Sequence, residues 1–125
     1  MSLPPLPESA IEIGAVAKDW RAAVALSGEA LAPYVVIAPG LALAHARPGP
    51  QVITNGLSIV TLKEPVRFGH AHNDPVRVVL GLAISEAGAH LAAVAAVANI
   101  FNDSSAIDQL AAATTAAEIQ RIMGV

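Results

Sequence analysis

Among the residues of this sequence, His45 has the neighbours best suited to support a chemical reaction. It follows a small-residue stretch that begins after the chain-reversing pair Pro39-Gly40, and Arg47 stands two residues further on. A neutral imidazole titrates near neutral pH and is a good nucleophile toward phosphorus. A nearby guanidinium can hold phosphoryl oxygens and neutralise the charge that develops on them. The pattern therefore predicts a loop that presents His45 as a phosphoryl acceptor, with Arg47 as an electrostatic helper.

His90 stands where the spacing of apolar residues changes to a helical period. Apolar residues recur at that period from His90 to Phe101, so His90 is predicted at the start of a helix. Free backbone N–H groups and the helix dipole favour an anion at that position. His90 could then donate a hydrogen bond to a phosphoryl group on His45. The alternative is that it only caps or packs the helix start.

A different chemistry is suggested by His70 and His72, which are followed by Asp74. Alternate residues of a strand point to one face, so two imidazoles and a carboxylate could bind zinc. However, Asn73-Asp74-Pro75 is typical of a turn, in which the aspartate bonds to nearby backbone. We therefore predict no metal site, and we place His70 at the rim of the phosphoryl site.

The elements that must position these residues are short apolar strands mixed with helices. Strands are predicted at Ile11 to Val16, Tyr34 to Ala38, Leu57 to Leu62 (ended by Glu64-Pro65) and Val76 to Ile84. Three helices are predicted at Lys18 to Ala32, His90 to Phe101 and Ser105 to Ala112, the first with Asp19 as its N-cap. A last helix is predicted to begin at a capping box, Thr115–Glu118, and to end at Gly124. The strands are apolar on both faces, which favours a single α/β domain over residues 1–125 with helices on both sides of a central sheet. Residues 1–10, rich in proline, are expected to be a flexible lead-in.

Composition excludes several classes of protein. The formal net charge is −3 and the seven basic residues are scattered, so no nucleic-acid partner is expected. Cysteine is absent, which removes disulfides and thiolate chemistry. No uninterrupted apolar run reaches the roughly 20 residues of a membrane span, and the N-terminus does not resemble a signal peptide. We expect a cytoplasmic protein without direct membrane insertion and, since the glycines match no nucleotide-binding motif, without a cofactor.

Several blocks of the sequence together resemble a known family. Besides the segment around His45, they are Gly56 to Val66, Phe68-Gly69-His70, Asn73 to Val76 and Ala89-His90-Leu91. These blocks are similar to enzyme IIA components of sugar phosphotransferase systems of the mannitol–fructose type, and to the ascorbate type most of all. The likeness runs from about Tyr34 to the C-terminus and is weaker around the first helix. One local departure is Ala44, where the family often has proline.

The resemblance implies an α/β sandwich with a mixed sheet and a phosphohistidine intermediate. It implies that the carrier protein HPr phosphorylates His45, that His90 is the second active-site histidine, and that the phosphoryl group passes to a cysteine of enzyme IIB. From there it reaches the sugar during transport by a membrane enzyme IIC. The alternative is a regulatory or metal-sensing binding module on the same scaffold, without onward transfer. Neighbouring genes for enzymes IIB and IIC would favour transport, and a gene for a transcriptional regulator would favour the alternative.

One segment of the family pattern is missing from this sequence. Family members usually carry another helix and turn before the strand that leads to the active histidine, including an arginine that supports the phosphohistidine. Here no arginine lies between Arg21 and Arg47. Either the sequence omits a segment of the natural chain, or the protein has a true deletion and Arg47 alone supplies the positive charge. The first interpretation predicts a Cα–Cα separation between Glu29 and Tyr34 that far exceeds the ~3.8 Å of a trans peptide.

Overall fold

A central β-sheet organises the described part of the chain. The computed structural model describes residues 4, 6–19, 21–23, 34–46, 56–69, 72–83, 87–103 and 105–124. The five strands among them are β1 (Ile11–Ala15), β2 (Tyr34–Ala38), β3 (Leu41–Ala46), β4 (Gly56–Val66) and β5 (Val76–Ala83). Their order across the sheet is β1-β4-β5-β3-β2. β1 pairs with β4, and β3 with β5, in parallel, whereas the β2–β3 and β4–β5 pairs are antiparallel. The sheet is therefore mixed, as the family resemblance implies.

The two ends of this sheet are distinct. β3 and β5 run in the same direction, so their last residues lie at one end, where β4 begins. We call this the carboxyl end of β3 and β5. At the opposite end lie the β2–β3 turn at Gly40 and the described residues of the connection between β4 and β5, 67–69 and 72–75. Gly40 ties that end together, because its N–H donates to the Asn73 carbonyl and its own carbonyl accepts from the Arg77 and Val78 N–H groups.

Three helices cover one face of the sheet. They are α1 (Ala87–Phe101), α2 (Ser105–Ala112) and α3 (Ala116–Met123). Their buried side chains form one core with alternate residues of the strands: Leu41, Leu43, Leu57, Ile59, Val78, Leu80 and Leu82 from the strands, and Ala93, Val97, Ile107, Leu110, Ile119 and Met123 from the helices. None of the described helices is long and apolar enough to cross a membrane.

A second core lies on the other face of the sheet. Val36, Ala42, Val60 and Val79 contribute to it from the strands, and residues 21–23, which are helical, add Ala23. The helix predicted to begin after Asp19 is thus present where the chain is described, and the Asp19 carboxylate accepts a 2.9 Å hydrogen bond from the Ala22 N–H. The strands are buried on both faces, and the predicted α/β class with a covered central sheet is confirmed.

The last helix has the ends that the sequence predicts. The Thr115 hydroxyl accepts a 3.2 Å hydrogen bond from the Glu118 N–H, as in a capping box. Gly124 ends α3 in the left-handed conformation, with φ of 74°, and its N–H donates to the Arg121 carbonyl. Both signals are local, which is why they can be seen in the sequence alone.

The prediction that residues 1–10 form a flexible lead-in is wrong for the residues described. Leu6 is only 4% exposed and belongs to the core beneath the three helices. The Gln120 side-chain amide donates a 3.0 Å hydrogen bond to the Leu6 carbonyl, and Glu8–Ala10 form a 3₁₀ turn that leads into β1. Burial of a leucine side chain stabilises the folded state by about 1.5–3 kcal/mol, which offsets part of the entropy cost of ordering this short segment.

The predicted end of a strand at Glu64-Pro65 is also wrong. β4 continues to Val66, which pairs with Val76. Residues 63–65 are exposed, and the pairing with β5 is irregular between Thr61 and Val66. Proline lacks an N–H group and is tolerated where the strand ladder is already interrupted, so Pro65 does not end the strand.

Candidate active site at the carboxyl end of β3 and β5

The structure places His45 in a strand, not in the loop that the sequence predicts. It is the fifth residue of β3, which lies between β2 and β5, and it pairs with Leu82 of β5. Leu41 and Leu43 are buried in one core, and Ala42 and Ala44 in the other. A strand that is buried on both faces lacks the polar–apolar alternation by which a surface strand is recognised in a sequence. β3 lacks this alternation and is rich in alanine, so its sequence resembled that of a loop.

Position 45 lies on the last row of the helix-covered face. Strand alternation puts it on the face of Leu41 and Leu43, and the row continues across the sheet through Leu82 to Leu57. Leu82 is fully buried, and Leu57 is 3% exposed. Leu43, on the same face in the preceding row, is also buried, at 5% exposed.

α1 begins at the same end of the sheet. β5 ends at Ala83, and α1 starts at Ala87, with His90 as its fourth residue. Ala93 and Val97, which follow His90 by three and seven positions, are buried in the core that contains Leu82. Residues at this spacing share one face of a helix. The backbone therefore puts positions 45 and 90 on the same face and at the same end of the sheet.

The described neighbours of His70 lie in a different part of the molecule. His70 itself lies outside the described residues, but Gly69 and His72 on either side of it are in the connection between β4 and β5, at the opposite end of the sheet. Val76, where β5 begins, is six residues from Leu82, a distance of about 20 Å along the strand. The expected rim position of His70 therefore gets no support from its described neighbours.

Asp74 makes the local bonds that the sequence predicts. Its two carboxylate oxygens accept hydrogen bonds of 2.9 Å and 2.8 Å from the Phe68 and Gly69 N–H groups. The carboxylate thus holds the connection between β4 and β5. Among the residues that the structure describes, no three His, Cys, Asp or Glu side chains come together as metal ligands, and His70 is outside that set.

Leu91 is a surface feature that sequence reasoning missed. It follows His90 directly and is 73% exposed. α1 carries no Asp, Glu, Lys or Arg from Ala87 to Phe101, so its exposed side has no charge. The other large hydrophobic side chain exposed in the described ranges is Val16, after β1. The sequence did contain a signal for this surface. Leu91 is an apolar residue next to a candidate reactive histidine, in a helical segment without charged residues.

Two expectations fall on residues that the structure does not describe. Arg47 and the Pro48-Gly49-Pro50 turn follow β3 directly and lie in the gap 47–55. The region of the missing family segment lies within the gap 24–33. The role of Arg47 and both interpretations of the short segment therefore remain predictions.

Comparison with known protein families shows which family this chain belongs to. Residues 6–124 match the family model of the phosphoenolpyruvate-dependent sugar phosphotransferase system, EIIA 2. The chain belongs to this family. The ascorbate-specific PTS system EIIA component of Salmonella choleraesuis (strain SC-B67) is 42% identical to it over 92 residues, which are 73% of this chain and 60% of that protein. The match thus spans less than two thirds of the length of this curated relative.

Solved EIIA structures share the fold of this family member. The solution structure of the mannitol-specific cryptic phosphotransferase enzyme IIA CmtB from Escherichia coli matches with a TM-score of 0.76 at 25% identity, covering 94% of each chain. Enzyme IIA of the mannitol system of E. coli, solved in complex with phosphorylated enzyme IIB, matches with a TM-score of 0.73 at 22% identity and covers 96% of this chain and 97% of that one. The resemblance to mannitol–fructose and ascorbate-type enzymes IIA is confirmed.

Proposed function

We propose that this EIIA-family chain is a cytoplasmic phosphoryl carrier of a sugar phosphotransferase system, and a phosphotransferase through a phosphohistidine on His45. It accepts the phosphoryl group from HPr and passes it to a cysteine of enzyme IIB. The observation that carries the proposal is the common location of positions 45 and 90, at one end and on one face of the sheet, in a chain of this family.

The transfer needs positioning more than acid–base chemistry. A ring nitrogen of His45 attacks the phosphorus, and one N–P bond forms as the N–P bond to the HPr histidine breaks. In the second step the phosphoryl group moves from His45 to the thiolate of enzyme IIB. Phosphoryl transfer of this kind depends on in-line geometry and on stabilisation of charge on the equatorial oxygens. A nucleophile in a strand that is hydrogen-bonded on both sides suits that demand.

The first turn of α1 is proposed to stabilise the phosphoryl oxygens. Helix N-termini attract anions because their first N–H groups lack partners within the helix. α1 has no acidic residue in its first turn to oppose that attraction. His90 lies in this turn, and we assign it a hydrogen bond to the phosphoryl group. Arg47, two residues after His45, is the proposed additional positive charge.

Leu91 supports the proposed docking of carrier proteins at this end of the sheet. A partner that covers its exposed side chain would keep water from the phosphohistidine during transfer. Partners of this kind are HPr and enzyme IIB, and the related mannitol protein has been solved with phosphorylated enzyme IIB. Through IIB the group would reach a sugar bound by a membrane enzyme IIC. Ascorbate is the proposed sugar, because curated relatives are ascorbate-specific.

The decisive experiment is phosphorylation of the purified protein by enzyme I, HPr and phosphoenolpyruvate. We expect acid-labile phosphate on His45 and complete loss of labelling in His45→Ala. His72→Ala is the matched control, since His72 is an exposed histidine at the opposite end of the sheet, and it should be labelled like the wild type. Undiminished labelling of His45→Ala would overturn the assignment.

A further inference from the structure

The early part of α1 presents an apolar surface next to the candidate site. Leu91 is 73% exposed, and Ala92 and Ala95 are exposed as well. These three positions fall within one arc of the helix, opposite the buried Ala93 and Val97. We call them the α1 patch. The patch starts at the carboxyl end of β3 and β5, because α1 itself starts there.

The α1 patch is remote from the charged residues of β4 and β5. α1 has no Asp, Glu, Lys or Arg from its first residue to its last. The two strands carry their charged residues, Lys63, Glu64 and Arg77, towards the opposite end of the sheet. Arg47 and Glu86 follow β3 and β5 in the sequence, outside the described residues. A protein surface that matches the patch is uncharged, because a charge buried against it would have no partner.

The size of the α1 patch distinguishes between two possible occupants. A stable protein–protein interface takes about 20–30 residues from each side, whereas transient complexes use smaller surfaces. Three side chains, two of them alanine, are too few for a stable contact with a second copy of this chain. They suit one part of a short-lived complex whose other contacts surround the reacting residue. A carrier protein that leaves after each transfer forms such a complex.

Of the two carriers in the proposed function, enzyme IIB fits the α1 patch better. Both must reach the end of the sheet at which α1 begins. Phospho-HPr arrives with a phosphoryl group that bears about two negative charges, whereas enzyme IIB arrives with a thiol or thiolate. A helix without charged residues offers a dianion no cationic side chain. An apolar contact here therefore favours the partner that arrives without the phosphoryl group.

We infer that the α1 patch is a surface on which enzyme IIB docks, through an uncharged apolar surface of its own. The inference rests on the proposed function for the identity of the partner. It adds which surface of this chain binds enzyme IIB and what kind of surface binds to it. Leucine and alanine side chains have no reactive group, so the patch acts on the affinity of the complex and not on the transfer step.

The test measures transfer from the phosphorylated protein to purified enzyme IIB over a range of enzyme IIB concentrations. Ala95→Glu and Ala95→Lys place opposite charges in the patch, and both residues are good helix formers. We expect KM for enzyme IIB to rise about tenfold in both variants with kcat retained, because either charge would be buried against an apolar partner.

The matched controls are Ala117→Glu and Ala117→Lys. Ala117 is also an exposed alanine, but it lies in α3, which contacts β1 at the edge of the sheet remote from β3. Both controls should keep the wild-type KM. Leu91→Ala removes apolar surface without adding charge and should raise KM about fivefold, whereas Val16→Ala, at an exposed valine after β1, should not.

Four results would overturn the inference. If one charge at position 95 raises KM and the other lowers it, the partner surface is charged. An unchanged KM in both variants, or a rise in KM for phospho-HPr alone, would remove enzyme IIB from the patch. A wild-type protein that sediments as a dimer and becomes a monomer in Ala95→Glu would assign the patch to a second copy. Failure of the proposed function is distinguishable, because it would appear as labelling that survives in His45→Ala.

Discussion

His45 and His90 differ in how firmly their backbone is held. His45 pairs with Leu82 of β5, and Ala44 just before it pairs with Tyr34 of β2, so the sheet holds the backbone at this position. His90 is in the first turn of α1, where part of the backbone has no partner within the helix. The first arrangement suits a nucleophile that must meet phosphorus in line, and the second suits a group that donates hydrogen bonds to an anion.

Replacement of His90 should slow phosphoryl transfer without changing which residue is labelled. Loss of one preorganised donor to a developing charge typically costs about 100-fold in rate, and we expect a decrease of that order for His90→Ala in single-turnover transfer from phospho-HPr. Asn99→Ala is the control, because Asn99 is an exposed polar residue of the same helix, more than two turns away. A wild-type rate for His90→Ala would remove it from the site.

Elements whose signals are local could be predicted from the sequence, and those that depend on burial could not. β2 and α2 have the predicted bounds, since each is delimited by its own residues, Pro39-Gly40 and Asp103-Ser104. The strand nature of β3 depends on being enclosed between two strands and two cores, which no local pattern reports. Positions 45 and 90 lie at the same end of the sheet because β3 pairs with β5 in parallel. The sequence does not show which strands pair, so this proximity could not be predicted from it.

The β2–β3 turn should be sensitive to any side chain at Gly40. Its φ of +86° is one that side chains rarely adopt, and an added Cβ would lie 3.3 Å from Arg77 Nε and 3.4 Å from Ile107 Cγ2. We expect Gly40→Ala to lower the free energy of unfolding by about 1–3 kcal/mol in urea denaturation. Gly56→Ala is the control. Its φ is not in the left-handed range and its surroundings are open, so the loss there should be close to zero.

The whole molecule is stabilised by apolar surface on both faces of one sheet. The ion pair that links β5 to α2, Arg77 with Asp108, adds little, because its side chains are 37% and 71% exposed. Exposed pairs of this kind contribute less than about 1 kcal/mol. That the strands are covered on both sides could be predicted from their composition. The place of Leu6 in the core could not, because a proline-rich segment with only two leucines has no periodicity.

Leu6→Ala should therefore destabilise the whole domain. Truncation of a buried leucine costs about 2–5 kcal/mol, and we expect a loss in the lower part of that range, since the segment is near the surface and can adjust. Val16→Ala, which truncates an apolar side chain that is 80% exposed, should leave the urea midpoint almost unchanged. Equal midpoints for the two variants would show that Leu6 is not part of the core in solution.

The bond between Leu6 and Gln120 also constrains the order in which the chain can fold. Its two residues are 114 positions apart, so Leu6 is synthesised long before the helix that holds it. The neighbouring strand β1 likewise cannot pair until β4, its partner in the sheet, has been synthesised. Contacts of such sequence separation are slow to form, because the loop between them must close first. On the ribosome, β1 must therefore stay unpaired until β4 has emerged, and the Leu6–Gln120 bond cannot form until α3 has emerged.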